Sequence, residues 1–161
     1  MKVTSINALP NMRAGLIALN AGLHNMANGR RRGVNLLSFE STAAKDVHVL
    51  GDSVQIAPGM PNSGRMTNAQ AKVAAAAIVA QLNGREANIN PMLTKSCYSM
   101  VDAKNCIHVA SVHEYVAAEK TFKTVAGSGG VSSIDLKPEV TLLEGAYAES
   151  WAQNIWADTL A

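Results

Sequence analysis

The stretch from residue 47 to residue 84 constrains the fold of this chain more than any other. It begins with a short apolar run, residues 47–50, that is typical of a buried parallel strand. Gly51 and Asp52 follow directly, at the end of a strand where open α/β sheets bind ligands. A loop rich in Pro, Gly, Asn and Ser comes next, and then an Ala-rich run that favours one continuous helix. The stretch therefore predicts a strand, a turn, a loop and a helix arranged around a ligand.

The start of this helix predicts a site for negative charge. Thr67 and Gln70 fit the capping-box pattern and Asn83–Gly84 is typical of a helix end, so the helix is predicted over residues 67–83. The free N–H groups of its first turn carry roughly half a positive charge. An anionic or electron-rich edge of a ligand suits this position. Lys72, in the first two turns, either reaches that ligand or points to solvent.

Composition indicates a compact globular chain and argues against several kinds of partner. The chain has 161 residues, 48% of them hydrophobic and 4% aromatic, so its core must rely on Ala, Val, Leu and Met. A net charge of +2 implies neither nucleic acid nor a membrane surface. No apolar run approaches the roughly 20 residues of a membrane span, and the N-terminus has no clean apolar core of a signal peptide. The basic run Arg30–Arg32 is interpreted as a solvated loop or as a phosphate contact.

The hydrophobic pattern divides the chain into two parts. Residues 1–86 form an α/β part that faces the ligand, and residues 87–161 form a smaller part with a sheet and a helix, so the expected fold class is α/β (α+β). The elements predicted in the first part, besides the central stretch, are a strand at 2–6, a helix at 12–21, a loop at 25–33 and an ambiguous strand at 34–39. Those predicted in the second part are a linker at 85–91, hairpin strands at 93–101 and 106–115 joined by 102–105, a third strand at 120–125, and a helix at 144–158 whose apolar stripe is Tyr147, Trp151 and Ile155.

The two cysteines, Cys97 and Cys106, are too few for a disulfide framework. In the predicted hairpin Cys106 pairs with Val101 and Cys97 lies opposite Ala110, so a bridge between the cysteines would need a change of register. By composition alone, each is a small buried hydrophobe. No metal site is predicted, because the four histidines have no ligand spacing with Cys or carboxylates; they are His24, His48, His108 and His113.

Several blocks, in order along the chain, resemble a known family. They are ALPNMRAGLIALNAGL at 8–23, HVLGDSVQ at 48–55, MPNSGRMTNAQAKVAAAAIVAQLNG at 60–84, CYS at 97–99 and AYAESWAQNIWADTLA at 146–161. Together they are similar to the flavoprotein subunit of flavocytochrome c sulfide dehydrogenase, a two-dinucleotide-domain flavoprotein. That family opens with a G-x-G-x-x-G turn that holds the FAD pyrophosphate, and this sequence has no such motif. The expectation is therefore the C-terminal part of such a subunit.

The resemblance implies FAD as the cofactor and assigns roles to particular residues. The expected cofactor-binding residues are Gly51, Asp52, Ser63, Gly64, Thr67, Asn68, Gln70 and Lys72, with Asp52 at the ribityl chain. Cys97 is the expected catalytic residue, as one half of a redox-active disulfide that hydrosulfide attacks and whose partner cysteine comes from the N-terminal part of the family's fold. The resemblance also implies a cytochrome c-type haem subunit as partner and a periplasmic location.

Three interpretations of the chain stay open. It is part of a flavin-dependent sulfide dehydrogenase, a non-catalytic interaction or oligomerisation module, or a shortened gene product without activity. In the first case the chain alone is expected to bind FAD poorly and not to oxidise sulfide. Its inner apolar face, including Val49, Leu50, Met60 and Met66, is then expected to lose its cover and to drive binding to the N-terminal half or self-association.

Overall fold

The computed structural model describes residues 15–23, 31–55, 57, 60–133 and 137–160. The strand predicted at 2–6 lies outside these residues, as do the first residues of the helix predicted at 12–21 and most of the loop predicted at 25–33. The described elements are the helices α1 (Leu16–Asn20), α2 (Gly64–Leu82) and α3 (Pro138–Leu160), a 3-10 turn (Gly51–Ser53), and the strands β1 (Val34–Asn35), β2 (Glu40–Ser41), β3 (Met92–Met100), β4 (Cys106–Val116), β5 (Thr121–Thr124) and β6 (Gly130–Val131). The predicted mixture of helices and strands is confirmed.

The main sheet is antiparallel and is organised around β4. Its strand order is β3-β4-β5, and β6 also pairs with β4. The predicted hairpin and third strand are confirmed, but the predicted register is wrong by one residue, because Met100 rather than Val101 lies opposite Cys106 and Val109 lies opposite Cys97. The loop takes an extra residue because the Val101 N–H donates to the Asn105 carbonyl, 2.8 Å away. Both cysteines are free thiols.

The parallel strand predicted at residues 47–50 is wrong. In this segment His48 forms only an isolated antiparallel bridge with Glu40 of the short β1–β2 hairpin. A parallel strand needs a continuous ladder with a parallel neighbour. Within the described ranges the parallel pairing in this region is a single bridge between Arg32 and Val54. The ambiguous strand at 34–39 is likewise short, since it ends at Asn35 and the chain turns there.

Helix α2 begins earlier than the sequence pattern predicted. The cap is Ser63, whose hydroxyl oxygen accepts a hydrogen bond from the Met66 N–H at 3.1 Å, so the predicted capping box at Thr67 is wrong. Ser63 is the N-cap in place of Thr67 because its side chain satisfies an N–H of the first turn, and the residues after it tolerate helical geometry. The helix end is as predicted. Gly84 has a φ of +64°, and it follows the last helical residue, Leu82, by two positions.

The hydrophobic core joins α2 to the β1–β2 region and to the near end of the main sheet. Its buried members are Val34, Leu36, Phe39, Val54, Ala57, Met60, Met66, Ala74, Leu93 and Phe122. Met60 and Met66 are 6% and 1% exposed, so the expectation that they lack cover is wrong. Other apolar side chains of α2 do face solvent, with Val79 at 56% and Leu82 at 81% exposure. The division of the chain at residue 86 stays a prediction.

Helix α3 packs on one face of the sheet and starts six residues before the predicted position 144. The ring of Trp151 lies 6.1 Å from that of Tyr98 on β3, so the predicted stripe packs on the sheet at this residue, while Trp156 is 60% exposed. Tyr147 is 54% exposed, so the predicted stripe is wrong at that residue. The buried face instead passes through Glu144 and Gly145, since the close approach described below sets the rotation of the helix. None of the helices in the described part of the chain is long and apolar enough to cross a bilayer.

Candidate functional site

The predicted Gly-Asp turn and the start of α2 are held together by direct contacts. The Gly51 N–H donates a hydrogen bond of 2.7 Å to the side-chain oxygen of the buried Gln70. Gly51 has a φ of +70°, and a Cβ at this position would lie 3.0 Å from the Thr67 hydroxyl oxygen. The positive φ and the short distance to Thr67 both favour glycine at position 51 over a residue with a Cβ. Gln70 therefore binds the turn, and it does not close a capping box.

The surface beside the first turn of α2 is open and has a shallow depression. Ser63 uses its side-chain oxygen for the cap, and its carbonyl accepts from the Thr67 hydroxyl at 3.1 Å. A Cβ on the exposed Gly64 would meet nothing within 4 Å, so there is open space at the start of the helix. The depression is lined by Gly51, Asp52, Ser63, Thr67 and Gln70, among others, and is too narrow to admit a water molecule. The fold therefore brings these predicted residues together around the depression at the start of α2.

The arginines before β1 support the Gly-Asp turn. The Arg31 guanidinium donates to the backbone carbonyl of Asp52, and the backbone of Arg32 bonds Ser53 and Gln55 at 2.8 Å each. Arg32 is 1% exposed. The interpretation of this basic run as a solvated loop is therefore wrong for Arg32, because backbone pairing draws it inward, while Arg31 is half-buried. Arg30 lies outside the described residues.

Asn68 and Lys72 lie on a different side of α2 and contact α3. The Lys72 ammonium lies 2.8 Å from a carboxylate oxygen of Asp158, and the Asn68 amide nitrogen donates to the same oxygen at 3.4 Å. The hydrogen bond from Lys72 lowers the pKa of Asp158, and Asn68 adds to the effect. Neither Asn68 nor Lys72 is among the described residues that line the depression. The Lys72 side chain is 63% exposed, so it faces solvent with a surface ion pair.

Cys97 lies on the sheet face turned away from α3. Side chains alternate along a strand, so Cys97 shares a face with Leu93 and points opposite to Tyr98, which contacts α3. Cys97 is half-buried, and apolar neighbours on its face are open to solvent, with Ile107 at 41% and Val131 at 71% exposure. Cys97 does not line the depression at α2. It forms a separate, accessible part of the candidate site.

Cys106 is chemically different from Cys97. It is fully buried, and burial raises the pKa of its thiol, with the nearby Glu144 carboxylate adding to the rise. A neutral buried thiol is a poor nucleophile because the thiolate is the reactive form. The two free cysteines therefore divide into one accessible thiol and one structural thiol.

A partly buried polar cluster that the sequence did not reveal ties α3 to the sheet. A Glu144 carboxylate oxygen lies 3.1 Å from Nδ1 of His108 on β4, and the Ser132 hydroxyl donates to the other oxygen at 2.6 Å. Burial raises the pKa of Glu144, but the hydrogen bonds from Ser132 and His108 outweigh it and leave this pKa below its ordinary value. The sequence feature that could have revealed this cluster was the acidic residue Glu144, in line with the apolar stripe of the predicted helix. Ser132 also approaches Nδ1, at 3.1 Å, whereas a hydrolytic triad places serine and acid on opposite ring nitrogens.

His113 is a buried structural residue. Its Nε2 lies 3.0 Å from the Ser111 hydroxyl and its Nδ1 lies 3.4 Å from that of Thr124. Burial lowers the pKa of His113, and the positive charge of Lys95 lowers it further. His24 lies outside the described residues. In the described part of the chain, no three His, Cys, Asp or Glu side chains converge as metal ligands.

A groove of about 590 Å³ separates the far end of β3 from α3. Its lining includes Tyr98, Met100, Leu142 and Trp151, with Lys104 and Glu149 as charged members. The indole N–H of Trp151 is buried without a hydrogen-bond partner. No residue pattern predicted this groove, since its walls come from two segments far apart in the chain.

The sheet, with α3 on one of its faces and the half-buried Cys97 on the other, defines a small α+β unit. Residues 89–160 match the family described as flavocytochrome c sulphide dehydrogenase, flavin-binding. The resemblance seen in the sequence is confirmed for these residues. The matched residues contain β3 to β6, α3 and Cys97.

Proposed function

We propose that this chain supplies one face of the FAD site in a sulfide dehydrogenase flavoprotein subunit. The observation that carries the proposal is the position of Cys97. It lies within the residues that match the flavin-binding family, half-buried on the sheet face that α3 leaves open. A cysteine whose disulfide is attacked by a sulfur nucleophile beside a cofactor needs this combination of access and a rigid strand beneath it.

The residues at the start of α2 fit contact with an edge of the flavin. The space in front of Gly64 is open, and a helix of 19 residues directs its positive end there. Negative charge on the ring system is stabilised at this position, and the Asp52 carboxylate orients the cofactor chain. FAD, when bound, supplies the two-electron redox chemistry. Gly51, Thr67 and Gln70 hold this edge in place.

Asn68 and Lys72 fit the proposed cofactor contact less well. Both are bonded to Asp158, so they reach a flavin only after this contact with α3 opens. The ion pair is exposed, and solvent screening makes exposed ion pairs weak. A bound anionic cofactor is therefore able to compete for them.

Cys97 is proposed to be one half of a disulfide whose S–S bond hydrosulfide attacks, which leaves a persulfide on one cysteine and a thiolate on the other. The partner cysteine would come from the half of the subunit that also carries the pyrophosphate-binding turn, and the two electrons of the sulfide oxidation would pass to bound FAD. Cys106 takes no part, because it is buried on the face covered by α3. Without the other half, the chain is expected neither to hold FAD tightly nor to oxidise sulfide.

The exposed apolar side chains of α3 favour the binding of a protein partner. Leu142, Leu143, Tyr147 and Trp156 are each at least 50% exposed on this helix. Aromatic and aliphatic side chains at this density mark interaction surfaces. We assign this surface to the cytochrome c-type haem subunit, which accepts the electrons in the periplasm.

The test is reconstitution with a polypeptide that carries the Gly-rich FAD-binding half. The expected result is co-purification of the two chains with flavin absorbance, followed by sulfide-dependent reduction of cytochrome c. Cys97→Ser should keep the flavin and lose turnover, whereas Cys106→Ala should keep both. Sulfide oxidation by the 161-residue chain alone would contradict the proposal, and so would an assembled complex that binds no flavin.

A second candidate function is a non-catalytic interaction module. The exposed Val79 and Leu82 on α2, together with the apolar surface of α3, favour it. This candidate predicts self-association or binding to a partner without flavin absorbance at any stage. Light scattering on the purified chain, combined with its absorbance spectrum, separates the two functions.

A further inference from the structure

Lys95 lies two residues before Cys97 on β3 and on the same face of the sheet. The strand register places Ser111 opposite Lys95 and Val109 opposite Cys97. Following the same alternation through β4, β5 and β6, no Asp or Glu occurs at a strand position on this face. Lys95 therefore adds a positive charge to a sheet face on which no strand position carries a negative charge.

Lys95 forms no ion pair with another described residue, and its side chain lies partly against the sheet. The ion pairs among the described residues are Lys72–Asp158, His108–Glu144 and Lys123–Glu119, and none includes Lys95. Its side chain is half-buried. Its charge acts on the buried His113, which shares this face, and lowers the pKa of that residue beyond the effect of burial. The ammonium group therefore lies near His113, on the sheet face that also carries Cys97.

We propose that Lys95 is a positioning residue that attracts anionic reactants to the Cys97 thiol. The identity of the physiological anion as hydrosulfide rests on the proposed function, whereas the electrostatic selection does not. Two residues along a strand separate the side chains by roughly 7 Å. At this distance, with screening between that of water and that of a protein surface, a full charge changes the local concentration of a monovalent anion on the order of 3- to 10-fold.

The test compares two alkylating reagents on the full chain, iodoacetate with its negative charge and iodoacetamide without charge. The ratio of their rates at Cys97 reports the local potential, because the fraction of reactive thiolate cancels from it. Lys95→Met should lower this ratio about 3- to 10-fold, and Lys95→Arg should retain it. Added salt should lower the ratio in the native chain and change it little in Lys95→Met.

The matched control is Lys123→Met. Lys123 lies on the opposite face of the sheet and is paired with Glu119, so its removal should leave the ratio unchanged. Peptide mapping distinguishes modification at Cys97 from modification at Cys106, and Lys95→Gln serves if Lys95→Met does not fold. An unchanged ratio in the Lys95 variants would overturn the proposal, as would a Cys97 that reacts with neither reagent. The measurement involves no flavin, so failure of flavin binding in the reconstituted complex leaves its outcome separate.

Discussion

Gly145 of α3 lies directly against the carbonyl oxygen of Lys104 in the β3–β4 loop, so closely that a Cβ on Gly145 would stand 1.9 Å from that oxygen. No carbon atom approaches a backbone oxygen to this distance without displacing it. The contact fixes the depth at which α3 packs on the sheet. Because the close approach needs a residue without a side chain, Gly145 also determines which side of α3 faces the loop.

Gly145→Ala should destabilise the chain although alanine is the better helix former. The gain in helix propensity is at most about 1 kcal/mol, whereas forcing extra volume into a packed contact costs roughly 1–3 kcal/mol. The matched control is Gly64→Ala, since this helical glycine has open space around it and a change there should be neutral or stabilising. Urea unfolding of both variants measures the difference, and equal midpoints would show that the backbone contact is not required.

Ser63→Ala should lower the free energy of unfolding by about 0.5–2 kcal/mol, because it removes the acceptor for the Met66 N–H. Thr67→Val, which deletes a hydroxyl inside the first turn while keeping its shape, should cost less. Circular dichroism during thermal unfolding checks both. A larger loss for Thr67→Val would restore Thr67 as the cap.

Glu144→Gln should cost about 1–3 kcal/mol at neutral pH, since Ser132 and His108 both bond the carboxylate. The pKa of Glu144 is lowered in the folded chain, so its contribution is complete above the ordinary value near 4.5 and is lost as the pH falls through the lower folded pKa. The variant should lack this part of the acid dependence. Glu149→Gln, an exposed change on the same helix, is the control and should retain it.

His113 should make the folded chain sensitive to mild acid. Because its pKa is lowered by burial and by Lys95, the unfolded state binds a proton more readily than the folded state. Stability is then complete above the ordinary value of 6.5 and falls as the pH drops below it. In His113→Gln the slope of unfolding free energy against pH between about 5 and 6.5 should be smaller than in the native chain. Identical slopes would show that His113 does not titrate on unfolding.

Thiol titration should count one fast cysteine in the folded chain and two in denaturant. Cys97 is accessible, whereas Cys106 is fully buried with a raised pKa. Cys97→Ser should remove the fast reaction entirely, and Cys106→Ala should leave it unchanged. A fast reaction at Cys106 in the folded chain would mean that α3 does not cover it.

Local patterns predicted the second part of the chain well. Alternation and turn residues located the strands of the main sheet, and the Gly at position 84 marked the end of α2. The register was missed by one residue because the bond between Val101 and Asn105 depends on loop geometry. The strand at 47–50 was missed because an apolar run shows a need for burial without showing which neighbour pairs with it.

The candidate site was predicted unevenly for a similar reason. Gly51, Thr67 and Gln70 meet as expected, yet Asn68 and Lys72 contact Asp158, which lies far away in the sequence. Glu144, His108 and Ser132 form a cluster only after α3 folds onto the sheet. Contacts between distant segments carry no periodic signal, so residue patterns do not show them.

Strand β4, with 11 residues, pairs with β3, β5 and β6. Because all three pairings depend on this strand, we expect the sheet to open as a single cooperative unit. Amide protons in the middle of β4 should exchange with solvent only through global unfolding, while those of α1 exchange locally. The reactive face of Cys97 and the helix-covered face of Cys106 consequently persist together and are lost together.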